Sequence, residues 1–164
     1  MGEHMQTLFR TILIGTALTI GGAAVAAAPA ATDPIIGTWT LNLEKSKFNP
    51  GPAPKSQTRS YAQSAQGTTL TVTGVAADGS AVSQQATFNY DGKDYPISGA
   101  ADYDSLSLKK VNGSTVKSTQ KLKGAVIGTT TRSISSHGKV MTLTSKGKNS
   151  KGVDFDNVMV FDKQ

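Results

Sequence analysis

From Ile35 onward the chain alternates apolar and polar residues in short runs, and a glycine-containing turn closes each one. The turn marks are Gln66-Gly67, Asp78-Gly79, Asp91-Gly92, Gly99 to Asp102, Asn112-Gly113, Lys123-Gly124, His137-Gly138 and Lys146 to Gly152. Side chains on a strand point to opposite faces in turn, so period-two alternation between such marks predicts successive antiparallel strands. Ten are expected: Ile35 to Leu43, Gln57 to Ser64, Thr69 to Ala76, Val82 to Tyr90, Lys93 to Ser98, Tyr103 to Val111, Thr115 to Leu122, Ala125 to Ser135, Val140 to Lys146 and Val153 to Asp162. The fifth, limited by Pro96, alternates least. Asn112-Gly113 and Asp91-Gly92 are the strongest turn pairs, because both positions of a two-residue type I′ turn need positive φ.

The same alternation assigns faces. Val153, Phe155, Asn157, Met159 and Phe161 share one parity, with Asp154, Asp156 and Asp162 on the other; Val82, Ala86, Phe88 and Tyr90 form a second apolar row. Both rows should face the core. Gly37, Trp39, Leu41 and Leu43 also share a face, which turns Trp39 inward and leaves room at Gly37 for a crossing strand or side chain. After Ala31 no helical period runs beyond two turns, and Pro50, Pro52 and Pro54 exclude a helix between Lys45 and Lys55. Large apolar residues are scarce, with Thr and Ser in their place. A closed barrel suits this composition, since closure removes strand edges and a small interior needs few large side chains. The expectation is all-β: an antiparallel up-and-down β-barrel of about eight to ten strands. A sandwich of the same strands is the alternative.

The chain before this pattern has the layout of a secretory signal: Arg10, an apolar stretch from Thr11 to about Val25, then small residues from Ala26 to Ala31. Residues 1–28 are read as a signal peptide with an approximate cleavage site, and 33–164 as a single barrel domain. The apolar stretch is diluted by Gly15, Gly21 and Gly22 and is short for a membrane span. The expectation is a periplasmic or secreted protein with no transmembrane segment in the mature chain.

The formal charge of +6 is unevenly spread. Between Ser105 and Val153 lie ten basic residues, Lys109, Lys110, Lys117, Lys121, Lys123, Arg132, Lys139, Lys146, Lys148 and Lys151, and no Asp or Glu. Lysines on a sheet that faces water keep it soluble and blunt its edges. They can also attract anions such as acidic headgroups or phosphates. Nucleic acid is not expected, because the basic half has almost no aromatic residues on which bases could stack.

Catalytic chemistry finds little support. The chain has no Cys, and its mature part has a single His, His137 beside Gly138, so disulfides and thiolate metal sites are excluded and a transition-metal site is improbable. Asp102 with Asp104 and Asp154 with Asp156 lack the spacing of a calcium loop. No glycine-rich phosphate cradle is present. No enzyme, cofactor or metal site is expected.

Gly37-Thr38-Trp39 resembles the Gly-x-Trp of the lipocalin and fatty-acid-binding superfamily, and Ala101-Asp102-Tyr103 is similar to a later lipocalin motif with Ala in place of Thr. The resemblance implies a barrel with an interior cavity for small apolar ligands and a late Arg packed across the Trp, a part that Arg132 could take. Neither the helix that follows lipocalin barrels nor the helical lid of fatty-acid-binding proteins is expected from the strand pattern. Gly37 to Phe48, Pro50 to Lys55, Asp91 to Pro96 and Phe161 to Gln164 also resemble a family of small secreted bacterial proteins, which implies compartment and fold and carries no activity.

Two functions follow as expectations. The first is binding of a small apolar or anionic amphiphile in a cavity near Trp39, Phe88, Tyr90 and Arg132, where Arg132, pointing inward with Val126 and Ile134, would meet a carboxylate or phosphate. The second is a module without a cavity, whose basic face at Lys109, Lys110, Lys117, Lys121 and Lys123 docks on an anionic envelope component.

Overall fold

The computed structural model describes residues 33–164; the expected signal peptide lies outside the described residues. Ten antiparallel strands close into one up-and-down barrel: β1 (Gly37–Lys47), β2 (Ser56–Ser64), β3 (Gly67–Val75), β4 (Ala81–Phe88), β5 (Asp91–Ser98), β6 (Ser105–Lys110), β7 (Thr115–Leu122), β8 (Ala125–Ile134), β9 (Val140–Lys148) and β10 (Asp154–Lys163). Each strand pairs with its sequence neighbours, and β1 pairs with β10 to complete the circle. The seam between β4 and β5 is short, with only Gln85 opposite Ser98 and Ala86 opposite Ile97. No helix among the described residues is long and apolar enough to cross a membrane.

Three irregularities decide which side chains reach the interior. In β1 the register shifts between Asn42 and Lys47, and the Ser46 hydroxyl accepts from Val160 N–H in place of a ladder carbonyl. That bulge throws Leu43 outward, so only Trp39 and Leu41 of the expected row are buried. In β8 a bulge at Ile127 sits opposite the step from Gln120 to Lys121. The bulge reverses the parity before it, so Val126 lies on the surface, while Gly128, Thr130, Arg132 and Ile134 turn inward. In β5 the register shifts between Asp91 and Asp94, and the break between β4 and β5 falls at Asn89-Tyr90 rather than at Asp91-Gly92.

The two-residue turn with positive φ at both positions is Lys123 (φ 50°) and Gly124 (φ 83°), between β7 and β8. Asn112-Gly113 instead lies in a longer loop, where the Asn112 side chain accepts from Ser114 N–H.

The two ends of the barrel differ. At the end where β1 begins and β10 finishes, Ile35, Trp39, Phe88, Met141 and Phe161 are almost completely buried. Trp39 Nε1 donates to the Ile35 carbonyl at 2.7 Å, and Lys163 lies 5.0 Å over the indole with its Nζ on the Pro34 carbonyl. Gly37 makes this possible: a Cβ there would stand 2.9 Å from Lys163 Cε, at a φ of +127° that side chains avoid. At the opposite end, loops 48–55, 99–104 and 149–153 surround the barrel mouth. The proline loop forms no helix and is tied down by Asn49, whose N–H donates to Asn157 Oδ1 and whose carbonyl accepts from Asp156 N–H, each at 2.9 Å.

Candidate ligand cavity

An interior cavity of about 200 Å³ opens toward that mouth. Its apolar wall includes Leu70, Phe88, Leu106, Leu108, Val116, Ile127, Leu143, Phe155 and Met159. Its polar wall follows from cross-strand register. Ser118 of β7 stands opposite Thr130 of β8, Thr130 opposite Ser145 of β9, and Ser145 opposite Asn157 of β10. Four adjacent strands thus present an unbroken inward row of hydroxyl and amide groups. Thr130 and Ser145 are buried and 2.7 Å apart, and Gln120 Nε2 donates to Thr130 Oγ1 at 2.8 Å.

Beside this row, Gly128 and Gly147 face each other on β8 and β9. A Cβ on Gly147 would come within 2.5 Å of Gly128 Cα, and one on Gly128 within 3.2 Å of Phe155 and 3.4 Å of Gln120 Oε1. The glycines let the strands close up and make space for the Phe155 and Gln120 side chains.

Arg132 lies one inward position from Thr130 and is only 7% exposed. Its Nη2 donates to Tyr90 Oη at 2.9 Å, and its guanidinium sits 5.5 Å from the Tyr61 ring centre and 5.6 Å from that of Tyr90. Aromatic faces stabilise a cation but do not neutralise it. Among the described residues no carboxylate lies within ion-pair distance of Arg132, and its buried Nε donates to nothing. Arg59, on the same cavity, spends its Nε on Gln57 and lies over Phe161. Burial raises the pKa of the Tyr103 phenol on the cavity rim, although the nearby Arg59 charge works against it.

Of the four expected ligand residues, Phe88 and Arg132 line the cavity. Trp39 does not: it is fully enclosed at the closed end, and the cation across it is Lys163 rather than Arg132. Tyr90 stands behind Arg132, stacked edge-on against Phe88 with centroids 5.8 Å apart.

The five expected patch lysines separate as well. Lys110 has the inward parity of Leu106 and Leu108; it caps the closed end, pairing with Asp33 at 3.0 Å and lying 4.6 Å over the Tyr90 ring. Lys121 pairs with Asp94 at 2.8 Å. The Lys123 backbone N–H donates to Asp104 Oδ2, which fixes the turn, while its side chain stays exposed and makes no ion pair among the described residues. Lys109 and Lys117 remain on the outer face, directly opposite one another.

No protein-family model and no curated protein matches the sequence. Among solved structures, a zebrafish ileal bile-acid-binding protein complexed with cholic acid is similar, at 14% identity over 80% of this chain and 99% of that one, with a TM-score of 0.48. The redesigned β-barrel mFAP1 bound to DFHBI is similar at 12% identity over 79% and 95%, with a TM-score of 0.40. At such identities the likeness is one of barrel shape and says nothing of the contents.

The polar row is the part of the site that strand-by-strand reading misses. Its members are single Ser and Thr residues among many, and only the register brings them side by side.

Proposed function

We propose that this protein is a non-enzymatic binding protein, exported to the periplasm or beyond, that holds a small anionic amphiphile inside its barrel. The observation that carries the reading is Arg132, a buried guanidinium with an unspent Nε at the wall of a largely apolar cavity. Asp33 acts on Arg132 only from beyond ion-pair distance; a buried cation so weakly compensated is costly, and a bound carboxylate or phosphate would relieve that cost through a charge-assisted hydrogen bond. The apolar wall would take the rest of the molecule. At about 200 Å³ the cavity is smaller than the roughly 300–1,000 Å³ of drug-sized sites, which favours a short chain over a long lipid.

The rival reading, docking of a basic face on an anionic surface, keeps Lys109 and Lys117 as an adjacent pair. Titration with decanoate followed by NMR at low and high salt separates the two. Cavity binding shifts Thr130, Arg132 and Ser145 and persists in salt, because a buried pair is little screened. Shifts confined to Lys109 and Lys117 that fade with salt would refute the cavity reading.

A further inference from the structure

The buried side-chain polar atoms left without partners among the described residues are Arg132 Nε, a donor, and Gln120 Oε1, an acceptor, and both side chains line the same cavity. Two orphans of opposite sense on one wall ask for an occupant with two polar functions, since buried groups left unpaired are destabilising.

We infer that the ligand is a hydroxy acid, with its carboxylate at Arg132 and a mid-chain hydroxyl seated on Gln120, Thr130 and Ser145; this rests on the anionic-amphiphile reading above. The direction of the hydrogen bonds selects the hydroxyl. Gln120 Nε2 donates to Thr130 Oγ1, and Thr130 and Ser145 share a hydrogen bond that either hydroxyl can donate. The atom of this row left without a partner is Gln120 Oε1, an acceptor. A hydroxyl donates to it without bringing charge. An ammonium could only donate, and it would meet the positive field of Arg132 and Arg59. A plain hydrocarbon would cover both atoms and satisfy neither.

Spacing sets where the hydroxyl belongs. Thr130 and Arg132 are successive inward positions on β8, about 7 Å apart along a strand. That corresponds to a hydroxyl several carbons from the carboxylate rather than next to it.

Calorimetric titration of decanoate and of 5-hydroxydecanoate into the mature protein and into Gln120→Leu and Ser145→Ala variants tests the inference. The wild-type barrel is expected to hold the hydroxy acid about tenfold tighter than decanoate. Gln120→Leu should remove that preference while keeping or improving decanoate affinity, and Ser145→Ala should reduce it. Equal affinity of the wild type for the two acids, or a preference that survives Gln120→Leu in a folded variant, would overturn the hydroxyl subsite and leave the anionic reading standing. Failure of both acids to bind would overturn the hydroxyl subsite and the anionic reading together.

Discussion

Arg132 donates from Nη2 to the Tyr90 hydroxyl at 2.9 Å, and this bond holds the guanidinium against the cavity wall while its Nε stays unspent. The two residues are 42 positions apart and meet only because the chain breaks at Asn89-Tyr90, where Tyr90 can swing across the barrel end.

The pair predicts an asymmetry between its two mutants. Tyr90→Phe leaves the buried cation with less support and is expected to cost about 1.5–3 kcal/mol, the range for hydrogen bonds to charged groups. Arg132→Met removes the charge and its orphaned donor together, and is expected to change stability by less than about 1 kcal/mol. Urea denaturation of both variants measures this. If Arg132→Met is the more damaging, the guanidinium is structural cement and its free Nε has no bearing on a ligand.

Trp39 is the only tryptophan and is fully enclosed at the closed end. Its emission should be blue-shifted and should not respond to any acid that enters the cavity. A ligand-dependent shift or quench would place the site at the wrong end of the barrel. Gly37→Ala, which sets a Cβ against Lys163 at an unfavourable φ, should cost about 1–3 kcal/mol and loosen the packing over the indole, read as a red shift.

Acid should weaken the closed end. Burial acts to raise the pKa of Asp33, but the Ile35 N–H, the Lys110 bond and the Lys110 and Arg132 charges outweigh it and hold the carboxyl below its ordinary 3.8. A lowered folded-state pKa means stability that is complete above the unfolded value and lost as pH falls through the folded one. Wild-type stability should therefore decline below about pH 4 more steeply than that of Asp33→Asn, the two curves converging in acid. Parallel curves would remove Asp33 from the account.

Lys109 and Lys117 face each other across β6 and β7, and like charges directly opposite are unfavourable. Lys117→Glu is expected to stabilise the fold by about 0.2–1 kcal/mol at low salt, the gain shrinking in high salt. A loss of binding to anionic vesicles in this variant, with decanoate binding unchanged, would revive the docking function for that pair.

The ten strands and the inward rows of β4 and β10 were legible because period-two alternation and glycine turns are local signals; Val153, expected at the head of the β10 row, instead precedes the strand and is 44% exposed. The bulges were not legible. Those in β5 and β8 insert one extra residue and that in β1 three, and the displacement reversed Val126 and left Leu43 exposed although their alternation reads as inward. Gly128 and Gly147 read as ordinary strand glycines, yet they face each other so closely that Gly147 admits no side chain and Gly128 leaves only a tight fit. Charge runs misled for the same reason. The acids that neutralise Lys110 and Lys121 come from Asp33 and Asp94, far away in sequence. Arg132 was identifiable as the lone late arginine, but its contact with Tyr90 rather than Trp39 depends on where β4 ends.

Whether the barrel encloses a small anionic molecule is decided by native mass spectrometry of residues 32–164, exported to a bacterial periplasm and purified gently. A discrete adduct of small mass is expected that leaves on denaturation and is absent from Arg132→Met. A bare mass, unchanged after exposure to decanoate, hydroxydecanoate and lipid extracts, would contradict it.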